Sequence, residues 1–186
     1  MKLKLFAVAL FVFIAGSIAN AQTTDLPSKH SLSLGPIAGY NFESEGLTYG
    51  AGLLYEFRPF QKFGFIAGLT YQRTRSDVDF HYGDIDGSTV YGDVRIHQVY
   101  AFHAGARYYM DRFYLSGSLG VAYDDASVKL SNGMTVDAGH AYGLYKSIGA
   151  GYQLPLKNND ALEFEAGYFG SKFMNIGGTV RYKFGK

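Results

Sequence analysis

The sequence contains no cysteine, no tryptophan and only four prolines. Without cysteine the chain can form no disulfide framework, and it cannot carry a lipid anchor on a cysteine. Charged residues are also scarce, at 18% of the chain, whereas a typical soluble domain has about 25%. The protein is therefore short of the charge that a water-facing exterior needs.

The sequence also lacks an apolar run long enough to cross a membrane as a helix. The run at residues 5–18 follows Lys2 and Lys4 and falls short of the roughly 20 residues that a spanning helix requires. Small residues at 19–21 complete the pattern of a cleaved export signal. We predict a signal peptide over residues 1–21, a short lead over 22–29 and one domain over 30–186.

The mature chain has nearly equal numbers of basic and acidic residues, and aromatic residues are abundant. Without Lys2 and Lys4, fifteen basic side chains stand against sixteen acidic ones, a formal charge of −1. The basic residues form no excess over the acidic ones, so the charge of the chain does not indicate a nucleic-acid partner. Aromatic residues make up 17% of the chain, and there are 24 glycines. An exported chain of this composition, without a spanning helix, is expected to cross a membrane with strands.

Apolar residues alternate with small or polar ones along most of the mature chain. In residues 99–123, Tyr100, Phe102 and Tyr108 share one face, and His103 and Arg107 share the other. Successive side chains leave a strand on opposite sides, so a period of two predicts strands. The same alternation predicts eight strands, over residues 30–42, 47–58, 63–75, 94–109, 113–123, 141–153, 161–169 and 176–184.

Two of the connections, residues 76–93 and 124–140, are long and polar. Alternation continues inside both, around turn signals at Asp86-Gly87 and Asn132-Gly133. Eight antiparallel strands with short turns at one end and longer loops at the other fit an outer-membrane barrel. We therefore predict an all-β, eight-stranded antiparallel transmembrane up-and-down β-barrel with short periplasmic turns and two longer extracellular loops.

A soluble barrel is the alternative, and it would place the apolar face inside. The second face is mostly Gly, Ser, Thr and Ala, too small and uncharged for a solvent surface but suited to the narrow interior of eight strands. Tyr and Phe near the strand ends suit the two interfacial girdles of a membrane barrel. Lys146 shares the apolar face, and we expect it near an interface, where its ammonium reaches the headgroups.

Over residues 31–184 the chain resembles the small eight-stranded outer-membrane proteins of the OmpX/OmpA-barrel type. Its last strand, Val180-Arg181-Tyr182-Lys183-Phe184, is similar to the C-terminal signal that the outer-membrane assembly machinery reads in that family, although Gly185 and Lys186 follow. The resemblance implies a monomer in the cell outer membrane, in contact with membrane lipids and lipopolysaccharide. The assembly machinery is its implied partner.

Seven charged residues on the inward face are expected to gather in the periplasmic half of the lumen. Buried charges are tolerated only when they are paired and hydrogen-bonded. We predict an ionic plug that blocks conduction, and simple polar filling of the lumen is the alternative. The residues are Glu56, Arg58, Arg107, Glu163, Glu165, Arg181 and Lys183.

Catalysis finds little support in the residue pattern. His97 and His103 share a face, but six residues at about 3.3 Å each separate them too far for one metal. His103 with Ser116 or Ser118 is a nucleophile–base pair in principle. The chain has no His-x-Ser pair of the kind found in outer-membrane lipid A deacylases.

The acidic loop at residues 76–93 is a weak candidate for metal. Asp84 and Asp86, followed by Gly87, resemble a fragment of a calcium loop, but the spaced ligands and the closing Glu are missing. We predict no cofactor. Strands within loops 76–93 and 124–140 offer edges to an extracellular protein partner by strand addition.

These observations predict a non-enzymatic outer-membrane protein. Its expected role is surface interaction, adhesion or envelope integrity, exercised through the extracellular loops. A lipid A-modifying enzyme of the deacylase or acyltransferase type is the first alternative. A porin-like channel for small solutes is the second.

Overall fold

A computed structural model describes residues 29–85 and 88–185 of the chain. The predicted signal peptide lies outside the described residues, as do all but one residue of the lead. Within them no helix is long and apolar enough to cross a membrane. The eight strands are β1 (His30–Asn41), β2 (Gly46–Phe57), β3 (Phe63–Ile85), β4 (Ser88–Met110), β5 (Phe113–Leu130), β6 (Thr135–Pro155), β7 (Ala161–Gly170) and β8 (Met174–Gly185).

The strands form a closed antiparallel barrel in which each pairs with its chain neighbours and β1 pairs with β8. Following the cross-strand register once around the barrel from Ser31 leads back to β1 at Asn41, ten residues further along. For eight strands this stagger corresponds to a tilt of about 40°. An eight-stranded barrel of this tilt has room inside only for side chains.

The apolar face of the barrel points outward. Leu32 and Leu34 are 42% and 52% exposed, whereas Ser31 and Ser33, which alternate with them, are 5% and 0% exposed. Because the inward face carries the small and polar residues, the soluble-barrel alternative is wrong. The outward apolar belt is the surface that a bilayer covers in barrels of this kind.

Four tyrosines form a row on the outward face of the longest strands. Tyr71, Tyr100, Tyr123 and Tyr142 are direct cross-strand partners on β3 to β6. The ring centroids lie 5.0 Å apart for Tyr71 and Tyr100 and 5.4 Å apart for Tyr123 and Tyr142. Tyrosine combines an apolar ring with a polar hydroxyl, which suits the boundary between acyl chains and headgroups.

Most of the two predicted loops is strand. In the first hairpin β3 continues to Ile85 and β4 begins at Ser88. In the second, β5 continues to Leu130 and β6 begins at Thr135. Asp86-Gly87, the predicted turn of the first hairpin, lies outside the described residues.

The second hairpin turns at Asn132-Gly133 as predicted, but by a different conformation. Gly133 has a φ of 86°, while Asn132 does not adopt a positive φ. The side-chain oxygen of Asn132 instead accepts a hydrogen bond from the Met134 N–H at 3.0 Å. A two-residue Asn-Gly turn needs positive φ at both residues, and that expectation fails here because this asparagine closes the turn through its side chain.

The long strands extend beyond their neighbours and leave two open edges. β2 pairs with β3 no further than Arg75, and β7 pairs with β6 no further than Lys146. The outer part of β3 (residues 76–85) and of β6 (residues 135–145) thus has a strand on one side only. We call this four-stranded projection of β3 to β6 the extracellular sheet. Lys146 is exposed opposite Gly170, the last residue of β7.

The closing seam between β1 and β8 is interrupted at Pro36. Pairing stops after Leu34 with Tyr182 and resumes at Ile37 with Thr179, because proline has no N–H to donate to the ladder. The Thr179 hydroxyl donates to the Pro36 carbonyl at 2.9 Å and restores one hydrogen bond across the gap.

The end of β8 is held by the turn between β6 and β7. The Tyr182 hydroxyl donates to Asp160 at 2.5 Å, and the Gly185 N–H donates to the same carboxylate at 3.0 Å. These two hydrogen bonds stabilise the charged form, and they lower the pKa of Asp160 below its ordinary value.

Candidate functional site

Arg107 is the centre of a buried ionic layer in the lumen. It donates to both oxygens of Glu163, at 2.8 and 3.3 Å, to Glu165 at 3.2 Å and to Glu56 at 3.4 Å. The Arg107 side chain is completely buried, and so is that of Glu163. One guanidinium thus contacts three carboxylates that arrive from two other strands.

Two further cations complete the layer from β8. Arg181 pairs with Glu163 at 3.3 Å and also with Glu165. Lys183 pairs with Glu56 at 2.6 Å and with Glu163 at 3.5 Å. Three carboxylates therefore face three cations, and the layer has no net charge.

The register of the strands explains how these residues meet. Glu163 and Arg181 are direct cross-strand partners on β7 and β8, so their pairing is local. Arg107 lies on β4, on the opposite side of the barrel, and its long side chain crosses the lumen to reach Glu163. Contacts of this second kind depend on closure of the barrel.

Four neutral side chains supply further hydrogen bonds to the carboxylates, and one of them is Ser116, which donates to Glu165 at 3.0 Å. Tyr109 donates its hydroxyl to Glu56, and Tyr114 donates to Glu165 at 2.9 Å. The Gln153 amide donates to Glu163 at 2.7 Å. Buried charges are stable only when such groups satisfy their remaining hydrogen-bonding capacity. Tyr109 shares the parity of Arg107 along β4, but inward parity alone does not reveal a donor to a carboxylate.

Arg58 lies apart from the ionic layer. It is half-buried and donates to the Gln61 carbonyl in the turn between β2 and β3. Its guanidinium lies 3.6 Å from the centre of the Tyr109 ring. Six of the seven inward charges predicted from the sequence thus belong to one network of contacts. Arg58 lies at the edge of this network, between the Tyr109 ring and the turn.

A second polar layer crosses the lumen nearer the extracellular end. Thr48 and Thr74 share a hydrogen bond of 2.7 Å, and Thr48 donates to Asn175 at 2.8 Å. Asn41 donates to Asn175 at 3.1 Å, and Gln72 donates to the Tyr145 hydroxyl at 3.4 Å. We call these groups the amide layer. Sequence pattern alone does not distinguish these residues from other small or polar side chains that fill the lumen.

The turn between β7 and β8 is fastened to the opposite wall of the barrel. Ser171 donates its hydroxyl to Asp124 on β5, and His97 on β4 lies 3.1 Å from the same carboxylate. The Phe173 ring packs on the His97 ring at 5.7 Å. Ser171 is buried, so this turn leans over the mouth of the lumen; we call residues 170–174 the strap.

No serine–histidine pair suited to catalysis forms among these groups. His103 bonds through Nε2 to Thr70 at 3.1 Å, while Ser116 donates to Glu165 and Ser118 pairs with Ser147. In the strap the carboxylate stands between serine and histidine, whereas a nucleophile needs the base beside it.

The candidate calcium ligands cannot be assessed from the structure. Asp86 lies outside the described residues, and the side chain of Asp84 is likewise not described. Within residues 29–85 and 88–185 no group of three or more His, Cys, Asp or Glu side chains is arranged to hold a metal ion.

No family model and no curated protein sequence matches this chain. Among solved structures it is similar to Ail, the attachment invasion locus protein of Yersinia pestis, both alone and in complex with the heparin analogue sucrose octasulfate. Both comparisons give a TM-score of 0.54 and 17% identity, covering 85% of this chain and 99% of Ail. The N-terminal β-barrel domain of Pseudomonas aeruginosa OprF gives a TM-score of 0.46 and 13% identity, covering 84% and 99%. The chain thus has the fold of the small eight-stranded outer-membrane β-barrels.

Proposed function

We propose that this protein is a non-enzymatic integral protein of the outer membrane that acts through its extracellular sheet, in surface attachment or envelope integrity. The observation that carries the proposal is the sheet itself, in which β3 to β6 run on beyond the last pairing with β2 and β7. Ail, which has the same fold, is the attachment invasion locus protein of Yersinia pestis. That likeness supports attachment as the role to test first.

The open edge of β6 is the best candidate for contact with an extracellular protein. From residue 139 to 145 this strand is regularly paired with β5 on one side and has no strand on the other. Its residues 137–142 are all exposed. An unpaired edge offers backbone N–H and C=O groups to an added strand. The proposed partner is therefore an extended protein segment.

The membrane contacts of the barrel follow from its outward face. The row of four tyrosines and the exposed leucines suit acyl chains and headgroups. Lys146, at the edge where β7 ends, suits a phosphate of the outer-membrane lipids or of lipopolysaccharide. We propose a monomer for this barrel, with all eight strands in contact with lipid.

The two alternative functions are less well supported. A small-solute channel needs an open lumen, but here three carboxylates and three cations span it in mutual contact. A lipid A-modifying enzyme needs a nucleophile and base that reach lipid, and the inward His103 bonds to Thr70 instead. Planar-bilayer recording tests the first point: large, stable conductance from the purified wild-type protein would rule out the ionic plug.

Binding by trimmed variants tests the attachment role. One variant replaces residues 125–140, the outer part of β5 and β6 with most of the exposed edge 137–142, by a short turn, and a matched variant trims residues 79–90 of β3 and β4. Refolded barrels are presented to cultured host cells, matrix proteins and lipopolysaccharide vesicles. We expect the first variant to lose protein-dependent binding and the second to retain most of it. Equal binding by wild type and both variants would contradict the proposal.

A further inference from the structure

The turn of the second extracellular hairpin exposes an asparagine that directly precedes a glycine. Asn132-Gly133 is the one Asn-Gly pair of the sequence, and both residues are exposed. Among the described residues the Asn132 side chain makes one hydrogen bond, in which Oδ1 accepts from the Met134 N–H at 3.0 Å. The amide nitrogen of Asn132 therefore has no described partner that would hold it in place.

This hydrogen bond brings two reactive atoms of the turn together. It closes a ring that runs through the Asn132 side chain and the Gly133 peptide. That ring contains both the side-chain amide carbon of Asn132, Cγ, and the backbone nitrogen of Gly133. A nitrogen held beside a carbonyl carbon attacks it faster than a nitrogen that must first diffuse or turn into place.

The surroundings of Cγ favour attack in two further ways. The Met134 N–H donates to the oxygen on Cγ, and such a donor stabilises the negative charge that this oxygen acquires in a tetrahedral intermediate. Gly133 has no Cβ beside its backbone nitrogen, and open space surrounds it. The approach of the nitrogen to Cγ thus meets little steric opposition.

One contact opposes the reaction, and it lies in a part of the hairpin that opens readily. The Gly133 N–H donates to the Leu130 carbonyl at 2.9 Å, and this bond must open before the nitrogen attacks. Residues 131–135 are all exposed, and the hydrogen bonds of an exposed turn open at low cost in free energy. The bond therefore slows the reaction without preventing it.

The other described asparagines lack this combination of features. Asn41 and Asn175 are buried, and each donates its amide to a neighbouring oxygen. Asn158 and Asn159 are exposed in the turn between β6 and β7, but each precedes a residue that carries a Cβ. Among the described residues the structure thus singles out Asn132.

We propose that Asn132 is a site of spontaneous deamidation, which slowly converts it to aspartate and isoaspartate. The Gly133 nitrogen forms a bond to Cγ, and the side-chain amide leaves as ammonia together with the proton of that nitrogen. One water molecule then opens the resulting five-membered imide. Cleavage between the nitrogen and Cγ gives aspartate, whereas cleavage between the nitrogen and the backbone carbonyl carbon gives isoaspartate. Each product carries a negative charge that asparagine lacks.

The two products differ in their effect on the hairpin. Aspartate keeps a side-chain oxygen that accepts from the Met134 N–H, so the turn stays closed. Isoaspartate sends the backbone through Cγ and lengthens it by one carbon atom. That change disturbs the turn across which the Leu130 N–H donates to the Met134 carbonyl at 2.8 Å. Amide exchange at Leu130 is therefore faster in the isoaspartate form and unchanged in the aspartate form.

Mass spectrometry of aged wild-type barrel tests the site. Refolded protein in lipid vesicles is held at neutral pH and physiological temperature for several weeks, and its peptides are compared with those of a fresh sample. We expect a gain of about 1 Da in the peptide that contains residue 132, with isoaspartate as one product. Conversion there should exceed that at Asn158 and Asn175 by about tenfold or more. No gain at residue 132, or equal conversion at all three positions, would overturn the proposal.

Two variants separate the modification from other effects of ageing. Asn132→Ser keeps a side-chain oxygen that accepts from the Met134 N–H but has no amide to lose. We expect no gain of mass in its peptide and no change in exchange at Leu130 after the same incubation. Asn132→Asp reproduces one product and should show the exchange of fresh wild type at Leu130. Exchange at Leu130 that rises equally in aged wild type and aged Asn132→Ser would contradict isoaspartate as the cause.

Discussion

Replacement of Arg107 by methionine is expected to lower the free energy of unfolding by about 3–5 kcal/mol, the cost of breaking a buried ion pair by removing one partner. Arg107 is 1% exposed, and its guanidinium contacts Glu56, Glu163 and Glu165. Its loss leaves three carboxylates with two cations, and Glu163, at 0% exposed, has no access to water. Methionine fills similar space, so the loss of charge dominates the effect.

Arg58→Met is the matched control, because it makes the same chemical change outside the ionic layer. Arg58 donates to the Gln61 carbonyl at the rim. We expect it to cost about 1 kcal/mol or less, because the half-buried guanidinium of Arg58 is reached by solvent and pairs with no carboxylate of the ionic layer. The difference between the two variants therefore isolates the contribution of the buried position.

A charge-balanced double variant tests the reason for the effect. Arg107→Met combined with Glu163→Gln removes one charge of each sign and leaves the Gln153 amide beside a neutral side chain. We expect the double variant to be more stable than Arg107→Met alone, so that the two substitutions couple strongly in a double-mutant cycle. Simple additivity would mean that lost packing, and not an unpaired charge, destabilises the single variant.

Unfolding in urea, with the barrel in lipid vesicles, supplies the measurement. The chain has no tryptophan, so far-UV circular dichroism and the gel-mobility difference between folded and unfolded barrel replace tryptophan fluorescence. Linear extrapolation gives the free energy of unfolding. Equal losses in Arg107→Met and Arg58→Met would refute the argument that a buried, mutually paired ionic layer holds the lumen together.

Three further predictions concern other parts of the barrel. Asp160→Asn should lower the urea midpoint of unfolding at pH 6, and the difference from wild type should shrink towards pH 3. The reason is that the pKa of Asp160 is lowered in the folded state, so its carboxylate stabilises the barrel only at higher pH. A difference that stays constant with pH would exclude the charged carboxylate as the source of the stabilisation. Gly105→Ala should lower the free energy of unfolding by about 1–3 kcal/mol, since its Cβ would lie 2.0 Å from the Gly117 carbonyl oxygen. Gly117→Ala is the control, because there is open space around Gly117, and it should change the free energy of unfolding by about 0.5 kcal/mol or less. Asp124→Ala should raise amide hydrogen exchange in the strap about tenfold, the equivalent of one lost buried hydrogen bond, and unchanged exchange at Ser171 would disprove the strap contact.

The two faces of the wall could be predicted from the sequence because they depend on short-range pattern. Leu32 and Ser33 point to opposite sides for the same reason in any strand, and the scarcity of charge decided which side meets lipid. Turn residues such as Asp111 and Asn132 marked where strands end. The extents of β3 to β6 were underestimated, because polar residues that pair above the membrane interrupt the apolar signal without ending the strand.

The partners of the inward charges were only partly predictable from the sequence. Glu163 and Arg181 lie on neighbouring strands, so their contact follows from an up-and-down order. Arg107 meets Glu163 only because the barrel closes with a stagger of ten residues, which brings β4 and β7 to one level across the lumen. That stagger is a property of all eight pairings together.

The sequence by itself determined the alternation, the number of strands and the set of inward charges. It also predicts the export signal, which lies outside the described residues. Only the tertiary structure decided that six of those charges form one neutral layer, that Arg58 stays at the rim, and that the strap joins Ser171 to Asp124 and His97. The physical reason is that side-chain direction is local to a strand, whereas distances across the lumen are set by the closed register.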